Sequence, residues 1–128
     1  MPVKLEPRVS ERILVQRYIQ PVDLAAELPA AIEAIAEFSR EVQGAFFAVI
    51  DMRAAPINLD GLIEALDLVR RKLANVPVRF VAIGTGEMVE LAASAVAQRQ
   101  YGSFEPAKVF ATEEEALAYC LAELKEPA

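Results

Sequence analysis

The residues best placed to do chemistry are few. Asp51 ends the apolar run Phe46-Phe47-Ala48-Val49-Ile50, and Arg53 follows two positions later. The turn Asn58-Leu59-Asp60-Gly61 comes next, and Gly84-Thr85-Gly86 follows a second apolar run. Asp51 has the chemistry of a general base or a metal ligand. The preferred reading is structural, because an acid at a strand end commonly takes backbone N–H bonds or closes a loop. A two-carboxylate magnesium site would need Asp51 and Asp60 to converge, with waters completing the shell. Their spacing does not force that, and no metal or cofactor is expected.

Gly84-Thr85-Gly86 has the look of a phosphate cradle, in which free backbone N–H groups at a helix start face an anion. It lacks the third glycine of a dinucleotide fingerprint and the lysine of a P-loop. Glu87 and Glu90 stand in the same first turns and repel a phosphate. A strand-to-helix turn with Thr85 as N-cap is the better explanation. The chain contains no histidine. That removes the commonest general base and metal ligand, and with them any conventional Ser-His hydrolase using Ser10, Ser39, Ser94 or Ser103. Cys120, the only cysteine, falls late in an acidic helix among Ala116, Leu117 and Leu124. Without a positive setting it reads as core filling. Tyr101 and Tyr119 read as packing or rim residues, and no catalytic role is assigned.

The elements that must position these residues follow from hydrophobic periodicity. Ile13 to Ile19 alternates as an edge or near-edge strand with one wetter face, and Val3-Lys4-Leu5 is a short candidate partner. Leu24, Leu28, Ala31, Ile32, Ile35, Phe38 and Val42 recur at helical spacing. Pro29 interrupts them, so the expected arrangement is a short turn at Asp23–Leu28 followed by a helix with Pro29 in its first turn. A single kinked helix is the alternative. Gly44 is the expected stop.

Gly44–Arg53 reads as a central strand buried on both faces. Asn58 or Asp60 can cap the next helix, whose apolar stripe is Leu59, Leu62, Ile63, Leu66, Val69 and Leu73. Arg70, Arg71 and Lys72 complement the dipole in its last turn. Val78–Ile83 is a further strand. A helix from about Glu87 to Arg99 buries Met88, Leu91, Ala92, Ala95 and Val96. Lys108–Ala111 is a short strand, and Thr112-Glu113-Glu114-Glu115 is a capping box. It opens a last helix facing inward with Leu117, Cys120, Leu121 and Leu124. The Glu113–Glu115 acids are assigned no role beyond that cap.

Strand and helix alternate throughout. The expectation is one α/β domain over residues 1–128, a mostly parallel four- to five-stranded sheet in a single layer with helices packed on it. At 128 residues the chain suits one core, and 55% apolar with 25% charged residues is an ordinary globular balance. A net charge of −6 disfavours nucleic acid and anionic membranes as partners. No apolar run is long enough to insert in a membrane, and Met1–Glu6 has no signal-peptide pattern. A lone cysteine fits a reducing, cytoplasmic setting.

The strand Phe46–Asp51, the segment Val81-Ala82-Ile83-Gly84 and the ending Val109-Phe110-Ala111-Thr112-Glu113-Glu114-Glu115-Ala116-Leu117-Ala118-Tyr119 resemble the STAS-like superfamily. That superfamily includes the anti-sigma-factor antagonists. The ending is similar to those of divergent STAS-like and SEC14-like bacterial proteins. The resemblance implies a non-enzymatic domain that binds a protein or, less often, an apolar or nucleotide ligand. In the phosphoregulated antagonists a serine opens the helix after the central strand, in an Asp-Ser-Ser/Thr-Gly turn. Here the turn is Asn58-Leu59-Asp60-Gly61, with the glycine kept and the hydroxyl gone. A phosphorylation switch cannot operate there. Asp60 supplies a fixed single charge that would imitate the phosphorylated state, although plain helix capping by Asn58 and Asp60 is preferred.

Two functions follow as expectations. The first is a protein-binding domain using the loop after the central strand, with Asp51, Arg53, Asn58, Asp60 and Gly61, and the outer face of the helix Leu59–Leu73. The second is a carrier of a lipid or nucleotide, with Gly84, Thr85 and Gly86 near the ligand and the alanine-rich third helix leaving room. A homodimer would cover a short edge strand and Phe104 or Tyr101.

Overall fold

The computed structural model describes residues 3–18, 24–42, 44–51, 53, 59–73, 75–84 and 108–125. The elements are β1 (Val3–Arg8), β2 (Ile13–Tyr18), α1 (Leu24–Val42), β3 (Phe46–Asp51), α2 (Leu59–Leu73), β4 (Val78–Ile83), β5 (Lys108–Phe110) and α3 (Glu113–Lys125). The five strands form one sheet in chain order, β1-β2-β3-β4-β5. β1 runs antiparallel to β2, and the other three pairings are parallel. The α/β class and mostly parallel sheet follow the sequence expectation, and β3 is its middle strand. The expected helix Glu87–Arg99, Tyr101 and Phe104 lie outside the described residues.

Strand alternation divides the core into two halves. Leu14, Phe46, Ala48 and Val78 face α1 and α2, where they meet Ile32, Ile35, Phe38, Val42 and Leu73. Ile13, Val15, Phe47, Val49, Val81 and Ile83 point the other way, onto Ala116 and Cys120 of α3. Helices on both faces explain why β3 reads as a continuous apolar run. Phe46 and Phe47 are both essentially sealed from water, and each such side chain contributes on the order of 1.5–3 kcal/mol by burial. Phe46 meets Phe38 edge-on, with ring centroids 5.2 Å apart.

Several expectations need correction. The Asp23–Leu28 turn does not form: α1 starts at Leu24 and runs through Pro29 as one helix. Pro29 lacks one intrahelical N–H, but Ala31, Ile32, Ile35 and Phe38 immediately after it are buried and hold the helix on the sheet. Among the described side chains of β2, Ile13 to Gln16 are buried and Arg17 is half-buried; Gln16 is 1% exposed and donates from Nε2 to the Ala31 carbonyl at 2.7 Å. β1 is longer than Val3–Leu5 and includes Pro7, which an edge strand tolerates. Ile63, placed in the buried stripe of α2, is 47% exposed, whereas Leu68 packs on the core beside Val69.

Gly44 ends α1 as expected, with φ at +144°. A Cβ there would collide with Arg12 Nη2. Arg12 itself adopts φ of 59° in the β1–β2 turn, and its Nε donates to the Ala45 carbonyl at 2.8 Å. This turn is thereby fastened to the entrance of β3.

Candidate functional site

In a parallel sheet the strands deliver side chains to their carboxyl edge, the usual place for a binding site. Here Arg17 of β2 and Asp51 of β3 are register partners at that edge. Both lie on the side of the sheet that carries α3, following Ile13 and Val15 in one strand and Phe47 and Val49 in the other.

Asp51 is buried and closed by its own loop. Its Oδ1 accepts from the Arg53 backbone N–H at 3.2 Å and from Arg53 Nε at 2.9 Å, and its Oδ2 accepts from Arg53 Nη2 at 2.7 Å. Burial pushes the carboxyl pKa up, but the Arg53 bonds, with Arg17 nearby, outweigh burial and hold it below its ordinary value. An acid so stabilised as its anion is a poor base. The structural reading of Asp51 agrees with this geometry.

Arg17 is the hub of a second set of charges. Its Nε donates to Glu113 Oε2 at 2.7 Å, and its Nη2 donates to Glu113 Oε1, a forked pair between β2 and the first residue of α3. The same Nη2 reaches Glu6 Oε1 of β1 at 3.0 Å. The bond to Arg17 holds the Glu113 pKa below its ordinary value despite partial burial. Glu113 therefore does more than complete a cap, which corrects the sequence reading. Thr112 and Glu115 do cap α3: the Glu115 N–H donates to Thr112 Oγ1 at 3.2 Å, and that hydroxyl donates to Glu115 Oε1 at 3.1 Å.

The remaining candidates divide. Asp60 and Gly61 form the first turn of α2, so Asp60 is inside the helix and is not its N-cap. Asn58 occupies the position before the helix and lies outside the described residues. Gly84 is buried, and its N–H donates to the Phe110 carbonyl at 2.9 Å. The first amide of the supposed cradle is thus spent on the link to β5. Thr85 and Gly86 lie outside the described residues, as does the alanine-rich helix that would line a carrier cavity.

Cys120 is fully buried, and desolvation pushes its thiol up to about 12. It is core filling, as expected. Tyr119 packs edge-on against Phe47 with centroids 5.9 Å apart, and its hydroxyl reaches Glu123 Oε1 at 3.4 Å. Arg79 lies over the Phe47 ring at 4.7 Å and bonds to Glu123 at 3.0 Å. Among the described residues no group of three or more His, Cys, Asp or Glu is placed to hold a metal ion. No helix among them is long and apolar enough to cross a membrane.

Sequence reasoning found Asp51 and Arg53 but missed Arg17, Glu6 and Glu113. One signal was available for Arg17, a charge in phase with Ile13 and Val15 on a face that turns out to be buried. Its partner 96 residues away had none.

No protein-family model and no curated protein matches the chain. A solved structure does. It is the crystal structure of an uncharacterized protein from the DUF3478 family with a SpoIIAA-like fold, from Shewanella loihica PV-4. It superposes with a TM-score of 0.58 over 92% of this chain and 91% of that one, at 19% sequence identity. The chain has a SpoIIAA-like fold. This STAS-like architecture agrees with the resemblance seen in Phe46–Asp51 and in the ending from Val109. At that identity the likeness concerns the fold alone.

Proposed function

We propose that this SpoIIAA-like domain is a non-enzymatic module that binds a protein partner through the outer face of α2 and the loop between β3 and α2. The observation carrying this reading is Ile63, 47% exposed on a helix whose other face reaches the core through Val69 and Leu73. Ile63, Asp67 and Arg70 recur at one helical spacing, so they share a stripe. Asp67 takes Arg70 Nη2 at 2.7 Å and Arg71 Nε at 3.0 Å, which gives an apolar side chain with an ordered charged border. An exposed apolar residue with a polar rim suits protein docking better than catalysis. The rim acid Asp51 is neutralised by Arg53 and makes a poor base, which favours the same reading.

The test is quantitative capture from the host lysate with the native chain and with Ile63→Asp and Arg70→Glu. A specific protein retained by the native chain should fall at least about tenfold with either variant, which is about 1.4 kcal/mol. Thermal stability should remain close to native, because both side chains face solvent. Equal capture by all three chains would discard this face. Native mass spectrometry of the purified chain addresses the carrier reading, which a retained lipid or nucleotide would favour instead.

A further inference from the structure

β1 is attached to the protein differently from its neighbour. No side chain from Lys4 to Ser10 is buried, and Leu5 and Val9 are 43% and 46% exposed. In β2, by contrast, Ile13, Leu14, Val15 and Gln16 are all buried. β1 is held by the antiparallel ladder from Val3–Tyr18 to Arg8–Ile13, by its approach to α1, and by charge. Glu6 Oε1 meets Arg17 Nη2 at 3.0 Å, and the same guanidinium is forked onto Glu113. Glu6 Oε2 takes Arg8 Nε at 2.6 Å, and Arg8 Nη1 reaches Glu11 at 3.0 Å.

The far side of the hairpin turn is pinned. Arg12 donates from Nε to the Ala45 carbonyl, and its own carbonyl accepts from the Phe47 N–H at 3.0 Å. Opening that leaves β2 in place pivots before Arg12, at Val9 and Ser10, and breaks the turn bonds from the Glu11 N–H to the Arg8 carbonyl and from the Arg12 N–H to the Val9 carbonyl. Segments with few buried apolar contacts open at lower free energy than the core. Ion pairs near the surface weaken as salt screens them.

We propose that β1 is a releasable strap. It swings away as a unit about Val9–Ser10, with Glu6–Arg17 as its catch, and uncovers the outer hydrogen-bonding edge of β2. Closed, it covers that edge and protects it from pairing with another chain; open, it leaves a strand edge of the kind that extended segments can join.

Hydrogen exchange on the full chain tests this, using only the β1 amides that donate to β2. These amides should exchange at least about tenfold faster than those of β3. Raising the salt to about 1 M, or Glu6→Gln, should accelerate them further while β3 stays unchanged. Arg17→Met should act in the same direction, but it also releases Glu113, so Glu6→Gln on the strap itself is the deciding variant. Exchange of β1 in step with β3 would overturn the proposal. So would a β1 rate indifferent to both salt and Glu6→Gln.

Discussion

Asp51 stands at the carboxyl edge of the sheet and is held there as its anion by a neighbouring arginine. Its carboxylate is bound three times by Arg53, and its pKa lies below the ordinary value despite burial. Glu113 is shifted the same way by Arg17. A carboxyl whose folded pKa is depressed contributes stability above its unfolded pKa, near 4, and loses it as pH falls through the lower folded value. Urea unfolding from about pH 6 down to about pH 3 should therefore show stability falling below about pH 4. Glu113→Gln should flatten that slope. Cys120 provides a second residue-scale prediction. With its thiol pushed up to about 12 and no exposure, it should react with a thiol reagent only as fast as the chain unfolds. Rapid stoichiometric labelling of the native protein would contradict its place in the core.

At the scale of elements, backbone conformation and helix ends decide most. Gly44 combines φ of +144° with Arg12 Nη2 crowding the place a Cβ would take. Gly44→Ala should cost about 1–3 kcal/mol in chemical denaturation, chiefly from backbone strain, since the end of an arginine side chain can move. Thr112→Ala removes the hydroxyl bonded to the Glu115 N–H and should cost about 1 kcal/mol. Exchange in the first turn of α3 should rise with it. Both positions were legible in the amino-acid sequence, Gly44 as a helix stop and Thr112 as the start of a capping box. The first turn of α1 was not. Local rules made Pro29 a helix start, and burial of the residues after it lengthened the helix instead. Ile63 was misplaced for a related reason, because apolar spacing marks a stripe without saying how wide a strip the sheet will cover.

For the whole molecule, the sheet separates two apolar clusters, one under α1 and α2 and the other under α3. Side chains in different clusters share no direct packing, so their substitutions should combine simply. Ile35→Val should cost about 0.5–1.5 kcal/mol. Combined with Cys120→Ala, the two losses should sum to within about 0.5 kcal/mol. A larger coupling energy in the double-mutant cycle would mean that strain passes through the sheet. The charge network spans the molecule in another sense, since Arg17 ties β1 and α3 to the sheet edge. Such a meeting of Glu6, Arg17 and Glu113 depends on topology and is invisible to local periodicity.

The sequence alone determined the class, the order of the described strands and helices, the central place of Phe46–Asp51, and the resemblance to STAS-like domains. Those features rest on local physics: alternation, helical spacing, proline and glycine stops, and a capping box. Tertiary structure decided which charges meet, that Gln16 is buried against α1, that Ile63 faces solvent, and that the Gly84 amide belongs to β5. The bonds depend on residues apart in the chain brought within reach, and the exposure of Ile63 depends on which side of α2 the core covers; neither is written in local spacing. The strand met first as a possible catalytic edge ends in an acid held by Arg53, with its register partner Arg17 held by Glu6 and Glu113.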